Sequence, residues 1–208
     1  MTSATAVRDQ PVTRDEVVDT ALRLIEENDI SALTMRRLAA ELGTAVTSIY
    51  WHVGNRDALL DLLVERLISD LGNVRYAGRT PRARITSLAR QWRLRLWEHP
   101  HLIAIAHERG RIAAMFAPMQ QALAGELAQV GVTGTKAATA IGALQFHIAA
   151  SVVMERTASR GPSAMVGDPA AWPASYGDPA LVAALSAPVD YPAVFDLGLS
   201  ALLDRLVP

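Results

Sequence analysis

One glycine between two short amphipathic segments constrains the fold of this chain more than any other feature. Residues 34–56 read TMRRLAAELGTAVTSIYWHVGNR, and Gly43 stands between the two segments. Leu38 falls on the apolar face of the first predicted helix, and Ile49 and Val53 fall on that of the second. Because glycine has no Cβ, it permits a sharp break in the backbone between them. The pattern therefore predicts a helix-turn-helix.

The second predicted helix presents small and hydrogen-bonding side chains on its outer face. Such a surface fits the major groove of DNA, where each base pair offers its own pattern of donors, acceptors and methyl groups. Val46 and the methyl group of Thr47 suit thymine methyl groups, and the hydroxyls of Thr47 and Ser48 can bond several bases. These three residues are the predicted readers of base edges, and Ala45 belongs to the same outer face.

Four pieces of this region resemble the tetracycline-repressor (TetR) family of bacterial regulators. They are, in chain order, the runs TMRRLA from Thr34, LG from Leu42, IYWHV from Ile49 and NRDALL from Asn55. Their order and spacing match the family's amino-terminal domain from about Thr13 to Leu71. The resemblance implies that Tyr50 and His52 hold DNA phosphates. Beyond Leu71 the chain resembles the family in length and helical character.

The start of the first helix of the motif supplies further candidate contacts. Thr34 is predicted to cap this helix, so Met35 and Arg36 occupy its first turn, where backbone amides and arginine side chains can meet a phosphate. Three arginines within residues 34–56 face a single acid, which concentrates positive charge where DNA would lie. The predicted DNA contacts are Thr34, Met35, Arg36, Ala45, Val46, Thr47, Ser48, Tyr50, His52 and Arg56.

Two residues of the motif are predicted to face inward instead. Trp51 is expected to pack into the core of the domain. Thr44, directly after the turn glycine, stands where the resembled family usually buries an aliphatic residue, and it is expected to bury its methyl group.

Composition limits the class of protein. A chain of 208 residues, half of them hydrophobic, can bury a sizeable core, and its many alanines favour helices. The absence of cysteine excludes disulfides and suits a reducing cytoplasm. A net charge of −1 argues against a broadly basic coat for nucleic acid. Residues 1–10 lack the apolar core of a signal peptide, and no uninterrupted apolar run is long enough to span a bilayer, so we expect a cytoplasmic protein without a membrane partner.

The chain is predicted to be all-α and to have three parts. These are a disordered arm over residues 1–12, a three-helix DNA-binding domain over 13–71, and a helical effector-binding and dimerisation domain over 72–208. Thr13 and Glu16 form a capping box at the start of the first helix. The last part is predicted to contain a broken helical segment over 111–130, a long helix over 135–156, a turn-rich lid or mobile loop over 157–179, and a final helix over 192–207.

A second copy of the chain is an expected partner. One helix-turn-helix contacts too few bases for useful selectivity, so two copies related by a two-fold axis are expected on an operator. The small and aliphatic faces of the helices over 135–156 and 192–207 are the candidates for pairing into a four-helix bundle. The alternative is that both faces fill the core of one protomer. The predicted interface residues are Ile141, Ile148, Val152, Leu197 and Ala201.

A small-molecule effector is the other expected partner. Three of the four tryptophans lie outside the DNA-binding domain, close in sequence to histidines and to the predicted lid. Together they predict a pocket for an aromatic or polycyclic compound. Its predicted lining is Trp92, Leu96, His101, Ile105, Phe116, Gln145, Trp172 and Tyr176.

These patterns lead to the hypothesis of a homodimeric repressor that a small molecule releases from a palindromic DNA operator. An enzyme is not expected, because the chain has no cysteine nucleophile and none of the usual hydrolase, phosphate-loop or zinc-protease motifs, and no cofactor is predicted. Two alternatives stay open. One is a ligand-independent DNA-binding protein. The other is a metal-dependent sensor or enzyme that uses His99, His101, His107 and Glu108, although His99 and His101 flank a proline and cannot share a helix face.

Overall fold

Helices make up the fold, as the sequence predicts. The computed structural model describes residues 11–28, 30–159 and 177–207, and within these ranges it has ten α-helices and no β-strand. The helices are α1 (Arg14–Glu27), α2 (Met35–Glu41), α3 (Val46–Val53), α4 (Arg56–Gly72), α5 (Pro81–Glu98), α6 (Pro100–Glu108), α7 (Ile112–Ala128), α8 (Gly134–Ser159), α9 (Pro179–Leu185) and α10 (Tyr191–Leu206). Most of the predicted arm and most of the predicted loop over 157–179 lie outside the described residues.

The chain divides into two compact units, and each is described by itself. The amino-terminal unit consists of residues up to Val74 together with Glu98–Pro118. The carboxy-terminal unit consists of Arg75–Trp97 together with the residues from Met119 onward. Helix α6 and the start of α7 therefore belong with the helix-turn-helix, although they follow α5 in the chain.

Side-chain caps determine where the helices of the amino-terminal unit begin. The predicted capping box is present: the backbone N–H of Thr13 donates to Glu16 Oε2 at 2.9 Å, and that of Glu16 donates to Thr13 Oγ1 at 3.2 Å. The hydroxyl of Thr34 accepts from the backbone N–H of Arg37 at 3.1 Å, so it caps α2 as expected. Asn55 Oδ1 accepts from the N–H of Ala58 at 2.8 Å and caps α4.

The core of this unit is a set of aliphatic side chains at helical spacing. Leu24 of α1, Leu38 of α2, Ile49 of α3 and Leu63 of α4 are all completely or almost completely buried. Burying a side chain of this size contributes roughly 1.5–3 kcal/mol. The α1, α2 and α3 helices therefore hold one another through their apolar stripes, and α4 closes the same core.

Polar contacts hold α6 to the helices of the same unit. His99 Nδ1, at the start of α6, lies 2.7 Å from Glu26 Oε1 of α1. Arg109, at the end of α6, donates from Nε and Nη2 to the two carboxylate oxygens of Asp61 on α4, at 2.7 and 2.6 Å. The hydrogen bonds from Arg109 hold the pKa of Asp61 below its ordinary value of 3.8, although partial burial opposes this shift.

Helix α5 of the carboxy-terminal unit has one buried face and one face rich in arginine. Its Trp92 is almost completely buried, and its arginines reach outward to acids on the surrounding helices. Arg84 Nε donates to the buried Glu126 of α7 at 2.8 Å, and Arg90 makes two hydrogen bonds of 2.9 Å to Asp196 of α10. Arg93 pairs with Glu155 of α8. The planar guanidinium suits such paired contacts, so α5 ties three helices together.

Helices α8 and α10 approach each other closely at one glycine. The ring of His147 on α8 stacks on Phe195 of α10, with 4.9 Å between centroids, and its Nε2 lies 2.9 Å from the Phe195 carbonyl oxygen. A Cβ placed on Gly198 would lie 2.5 Å from Cε1 of that ring. The absence of a side chain at Gly198 is therefore what allows the histidine to lie there.

Helix α7 differs from its prediction. A broken helical segment is expected over 111–130, whereas α7 runs without a break from Ile112 to Ala128 and contains Pro118. A proline inside a helix removes one backbone hydrogen bond and crowds the preceding turn, and the remaining bonds of a long helix can tolerate it.

Helix α8 also has an unusual composition. Although polar residues interrupt it, its length and hydropathy are sufficient for a membrane span, a test that core helices of soluble proteins also pass. Ala140, Leu144, Ile148 and Val152 of α8 are buried within the carboxy-terminal unit. Packing in a protein core accounts for these apolar residues without a bilayer.

The contact between Arg109 and Asp61 makes stability depend on pH. Because the pKa of Asp61 is lower in the folded chain, its stabilising effect is full above the unfolded-state pKa and is lost as the pH falls through the folded-state value. We expect Asp61→Asn to lower the free energy of unfolding at neutral pH, and we expect this difference to shrink below about pH 4. Urea unfolding followed by circular dichroism at several pH values measures both effects. A difference that stays constant down to about pH 3 would contradict this assignment.

The approach of His147 to Gly198 predicts the effect of a single methyl group. Gly198→Ala should lower the free energy of unfolding by about 1–3 kcal/mol, because the ring must move and lose its stacking and hydrogen bond. The matched control is Gly125→Ala in α7, where a Cβ meets nothing within 4 Å. This control should gain roughly 0.5–1 kcal/mol. Adding His147→Ala to Gly198→Ala should reduce the loss of stability. Equal stability of Gly198→Ala and Gly125→Ala would show that the close approach is absent.

Candidate nucleic-acid interface

The turn between α2 and α3 determines the direction in which α3 leaves. Gly43 has a φ of 61°, in the left-handed region that glycine adopts without strain. Its N–H donates to the carbonyl of Ala40 at 3.2 Å, and the N–H of Thr44 donates to that of Ala39 at 3.0 Å. This pair of hydrogen bonds is a Schellman motif, which ends α2 and satisfies its last carbonyls. Thr44 is half-buried after the turn, which agrees with the expectation that it faces partly inward.

Helix α3 has one buried face and one exposed face. Ile49 is completely buried and Val53 nearly so, and the two lie one turn apart on the same side. Thr47 is exposed and Ser48 is half-buried, and Tyr50 is 48% exposed. Val46 and His52 are half-buried and Ala45 is exposed. The outward surface therefore combines short polar and apolar groups with exposed aromatic rings.

Trp51 does not pack into the core, so that prediction is wrong. Its side chain is 82% exposed, and its ring meets the edge of His52 with 4.7 Å between centroids. The reason is helical phase: Trp51 is two residues from both Ile49 and Val53, which places it opposite the buried face. The same spacing is visible in the sequence, so the signal that could have corrected the prediction was present.

The first turn of α2 contributes charges rather than an apolar contact. Arg36 and Arg37 are exposed, and neither has an ion-pair partner within the ranges that the structure describes. Met35 is only 8% exposed, so its side chain belongs to the core, and its predicted contact with a phosphate through the backbone N–H stays a prediction. Position Met35 falls on the same face as Leu38, which explains its burial. Only its backbone N–H remains for a phosphate.

Arg56 has a role that the sequence did not reveal. Its Nε donates to the carbonyl of Leu33 at 3.3 Å and its Nη2 to that of Ile30 at 3.4 Å. The guanidinium therefore holds the connection between α1 and α2 from the start of α4. Its contact with DNA stays a prediction. The two bonds to Leu33 and Ile30 leave only part of the guanidinium's hydrogen-bonding capacity for such a contact.

The acid closest in sequence to the exposed arginines is neutralised by another element. Glu41 Oε2 accepts from Arg23 Nη2 of α1 at 3.2 Å, and the same arginine also pairs with Glu27. The hydrogen bonds that Arg23 donates to Glu41 and Glu27 raise its pKa above its ordinary value. The positive charge of Arg36 and Arg37 is therefore not cancelled by an ion pair with Glu41.

The predicted interface residues on α8 and α10 fall into two groups. Ile148 and Val152 are buried among the helices of their own unit, so their prediction as contacts with a second copy is wrong. Leu197 is 74% exposed, Ala201 is exposed and Ile141 is half-buried. Phe146, which the sequence reasoning missed, is 77% exposed on α8. Its side chain and Ala201 line a shallow groove of about 720 Å³ along α8 and α10.

The predicted effector residues are distributed over both units. Trp92, Leu96 and Gln145 lie in the carboxy-terminal unit, and His101, Ile105 and Phe116 lie in the amino-terminal unit, so no single unit brings them together. Gln145 Oε1 accepts from Gln120 Nε2 at 2.7 Å. Trp172 and Tyr176 lie outside the described residues. None of the six described residues lines the groove along α8 and α10.

The histidine cluster does not form a metal site in the described part of the chain. No group of three or more histidine, aspartate or glutamate side chains there is placed to hold an ion. His99 instead contacts Glu26 on α1, while His107 is exposed. The metal-dependent alternative therefore receives no support from this geometry.

Comparison with known proteins identifies the amino-terminal region. Residues 17–63 match a family model described as "Bacterial regulatory proteins, tetR family". The chain is 32% identical over 98 residues to an HTH-type transcriptional regulator of Saccharopolyspora erythraea, covering 47% of this chain and 42% of that protein. It is 45% identical over 56 residues to the class D tetracycline repressor protein of Escherichia coli, covering 27% of this chain and 26% of the repressor. The matches thus span less than half the length of these curated relatives.

The similarity to solved structures extends along almost the whole chain. The apo structure of ActR from Streptomyces coelicolor superimposes with a TM-score of 0.70 at 27% identity, covering 96% of this chain and 97% of ActR. A structure of ActR in complex with actinorhodin gives a TM-score of 0.68 at 27% identity, covering 95% and 97% of the two chains. The fold beyond the helix-turn-helix is therefore similar to that of ActR as well.

Proposed function

Because the chain belongs to the TetR family of bacterial regulatory proteins, we propose that it is a homodimeric DNA-binding repressor that a small molecule releases from a palindromic operator. The observation that carries the proposal is the exposed face of α3, which follows a Schellman turn and has no acidic residue. A repressor of this kind acts in the cytoplasm, where the DNA is.

The residues of the candidate interface are proposed to make two kinds of contact, with base edges and with phosphates. Thr47 and Ser48, with Val46 beside them, are proposed to read base edges, since they lie on the outer face of the first turn of α3. Tyr50 and His52 are proposed to hold phosphates. Trp51 joins this second group, because a large ring exposed beside them is placed to pack against the DNA backbone. Arg36 supplies a positive charge without an ion-pair partner in the described ranges, and Thr34 and Ala45 complete the proposed contact surface.

Exposed apolar area on α8 and α10 supports the homodimer. Phe146 and Leu197 are large, apolar and about three-quarters exposed, and Val153 and Val194 are more than half exposed. Such a patch marks an interaction surface in a soluble protein. Two α8–α10 pairs related by a two-fold axis would bury it as a four-helix bundle. Each dimer would then carry two copies of α3, roughly 34–36 Å apart if they enter successive major grooves.

The effector is proposed to be an aromatic or polycyclic compound that binds among the helices after Leu71. Support comes from the structure of the similar ActR protein in complex with actinorhodin. To release DNA, the compound must bind the DNA-incompetent arrangement more tightly than the competent one. A coupling of about 3 kcal/mol would weaken operator binding roughly a hundredfold. A compound that binds without releasing operator would instead favour the ligand-independent alternative.

The proposed contacts give two different expectations for variants. A footprint of the protein on the DNA that flanks its own gene identifies the operator, and fluorescence anisotropy then compares that site with a scrambled sequence. Tyr50→Ala should weaken binding to both by a similar factor of roughly five- to tenfold, since a phosphate contact carries no sequence information. Thr47→Ala should instead reduce the ratio between the two affinities. Arg36→Gln should lower the salt dependence by about one counterion.

Arg79→Gln is the matched control for Arg36, because Arg79 is an exposed arginine of the carboxy-terminal unit. It should leave affinity and salt dependence close to those of the parent. Equal binding by the parent and Tyr50→Ala would show that α3 is not the DNA-contacting helix. A footprint without any protected near-palindrome would contradict the operator part of the proposal.

The interface has its own test. Phe146→Glu and Leu197→Glu should each raise the dissociation constant of the dimer by at least roughly a hundredfold, because each protomer must then bury an unpaired carboxylate. Sedimentation equilibrium measures this constant directly. Leu94→Glu is the control, since Leu94 is an exposed apolar residue of α5 that lies on neither α8 nor α10. Dimers that persist in both glutamate variants, or that Leu94→Glu disrupts equally, would place the interface elsewhere.

A further inference from the structure

Helix α6 is fixed at both ends to the helices that carry the candidate nucleic-acid interface. At its start, His99 contacts Glu26 of α1 at 2.7 Å. At its end, Arg109 contacts α4. All of these residues belong to the amino-terminal unit, which explains why Glu98–Pro118 clusters with the helix-turn-helix.

The contact made by Arg109 has a defined geometry. Nε and Nη2 donate to the two oxygens of Asp61 at 2.7 and 2.6 Å, so the guanidinium and carboxylate planes meet edge to edge. Nη1 lies 3.4 Å from Asp57 Oδ1. Arginine suits this role because its fork of donors is rigid, whereas the single ammonium of lysine cannot form the same parallel pair. One side chain thus holds the first two turns of α4.

Those two turns lie next to the candidate interface. Asp57 is four residues beyond Val53, the last residue of α3, and it follows Arg56 directly. Arg56 in turn holds the carbonyls of Ile30 and Leu33, just before α2. Two sets of polar contacts therefore meet at adjacent residues at the start of α4: Asp57 links it to the end of α6, and Arg56 links it to the residues just before α2.

We propose that Arg109 is a positioning residue for DNA binding. By holding Asp57 and Asp61, it fixes the start of α4, and through Arg56 and the α3–α4 connection it fixes the orientation of α2 and α3. This inference rests on the proposed function for its effect on DNA, while the positioning of α2 and α3 is a property of the free protein. It assigns to Arg109 a role without any contact with DNA.

A second arginine on the same pair of elements provides the comparison. Arg111 follows α6 as Arg109 does, but its Nη1 lies 4.0 Å from Glu65 Oε1, one turn farther along α4. A single, partly exposed contact of this length contributes little. Arg111→Gln removes the same charge from the same region, so it serves as the matched control for Arg109→Gln.

Operator affinity is the first measurement. Arg109→Gln should weaken operator binding roughly three- to thirtyfold, the range expected of residues that modulate a binding site without touching the ligand. Asp61→Asn should reproduce most of this loss, and the double variant should be no weaker than the weaker single variant, because both changes remove one contact. Arg109→Lys should be intermediate, and Arg111→Gln should match the parent.

Amide hydrogen exchange of the free protein is the second measurement, and it does not depend on DNA. Arg109→Gln should speed exchange in peptides that cover α2 and α3, in addition to those of α4 and α6, whereas Arg111→Gln should not. Thermal unfolding shows that each variant is folded at the temperature of both experiments. If the parent binds no operator, the proposed function fails while the exchange pattern still decides the positioning role.

The outcomes separate a positioning residue from a merely stabilising one. Lower thermal stability of Arg109→Gln, with unchanged exchange in α2 and α3, would make the contact a stabilising pair only and would overturn the inference. Unchanged operator affinity in a folded Arg109→Gln variant would overturn it as well. Faster exchange in the α2 and α3 peptides of the Arg109 and Asp61 variants but not of Arg111→Gln, together with weaker operator binding, would support it.

Discussion

The orientation of α3 depends on one backbone conformation. Gly43 takes a φ of 61°, and the two hydrogen bonds of its Schellman motif end α2 while they set the exit direction of the chain. That direction determines which side chains of α3 are exposed, because it places Ile49 and Val53 against α1 and α4 and turns the opposite side outward. A residue with a Cβ would be strained at this φ, so the position of the outer face of α3 depends on glycine at residue 43.

Local signals in the sequence predicted most of the helices and their caps, although α7 is not broken as expected. They did not show which helices pack against one another. Thr13 and Thr34 cap the helices they were expected to cap, because capping involves residues three apart in the chain. The sequence could not show in the same way whether Ile148 and Val152 would be buried in their own unit or exposed to a second copy. An apolar stripe looks the same whether it faces its own core or a second copy, and only the packing of α8 on α10 decides.

The candidate site shows the same division. Exposure of Thr47 and Tyr50 follows from helical phase once α3 is placed, and the exposure of Trp51 follows from the same phase. The use of Arg56 as a brace depends on carbonyls more than twenty residues earlier in the chain, which no local pattern reports. The effector residues were chosen by type and proximity in sequence, and the structure distributes them over two units. Side-chain chemistry alone cannot say which helices will share a pocket.

Charge placement explains how a chain with a net charge of −1 can present a positive surface. Arginine supplies all but one of its basic side chains, Lys136 being the single lysine. Many of these arginines link helices, as Arg84, Arg90 and Arg109 do with acids on neighbouring elements. An arginine paired with an acid adds little to the electrostatic potential beyond the pair. The charges of Arg36 and Arg37 therefore affect the local potential more than the net charge of −1 suggests. At the proposed DNA interface, Arg36 and Arg37 have no ion-pair partner among the described residues, and selectivity would come from the fit of α3. The contacts that orient α3 would then matter as much as those proposed to touch DNA.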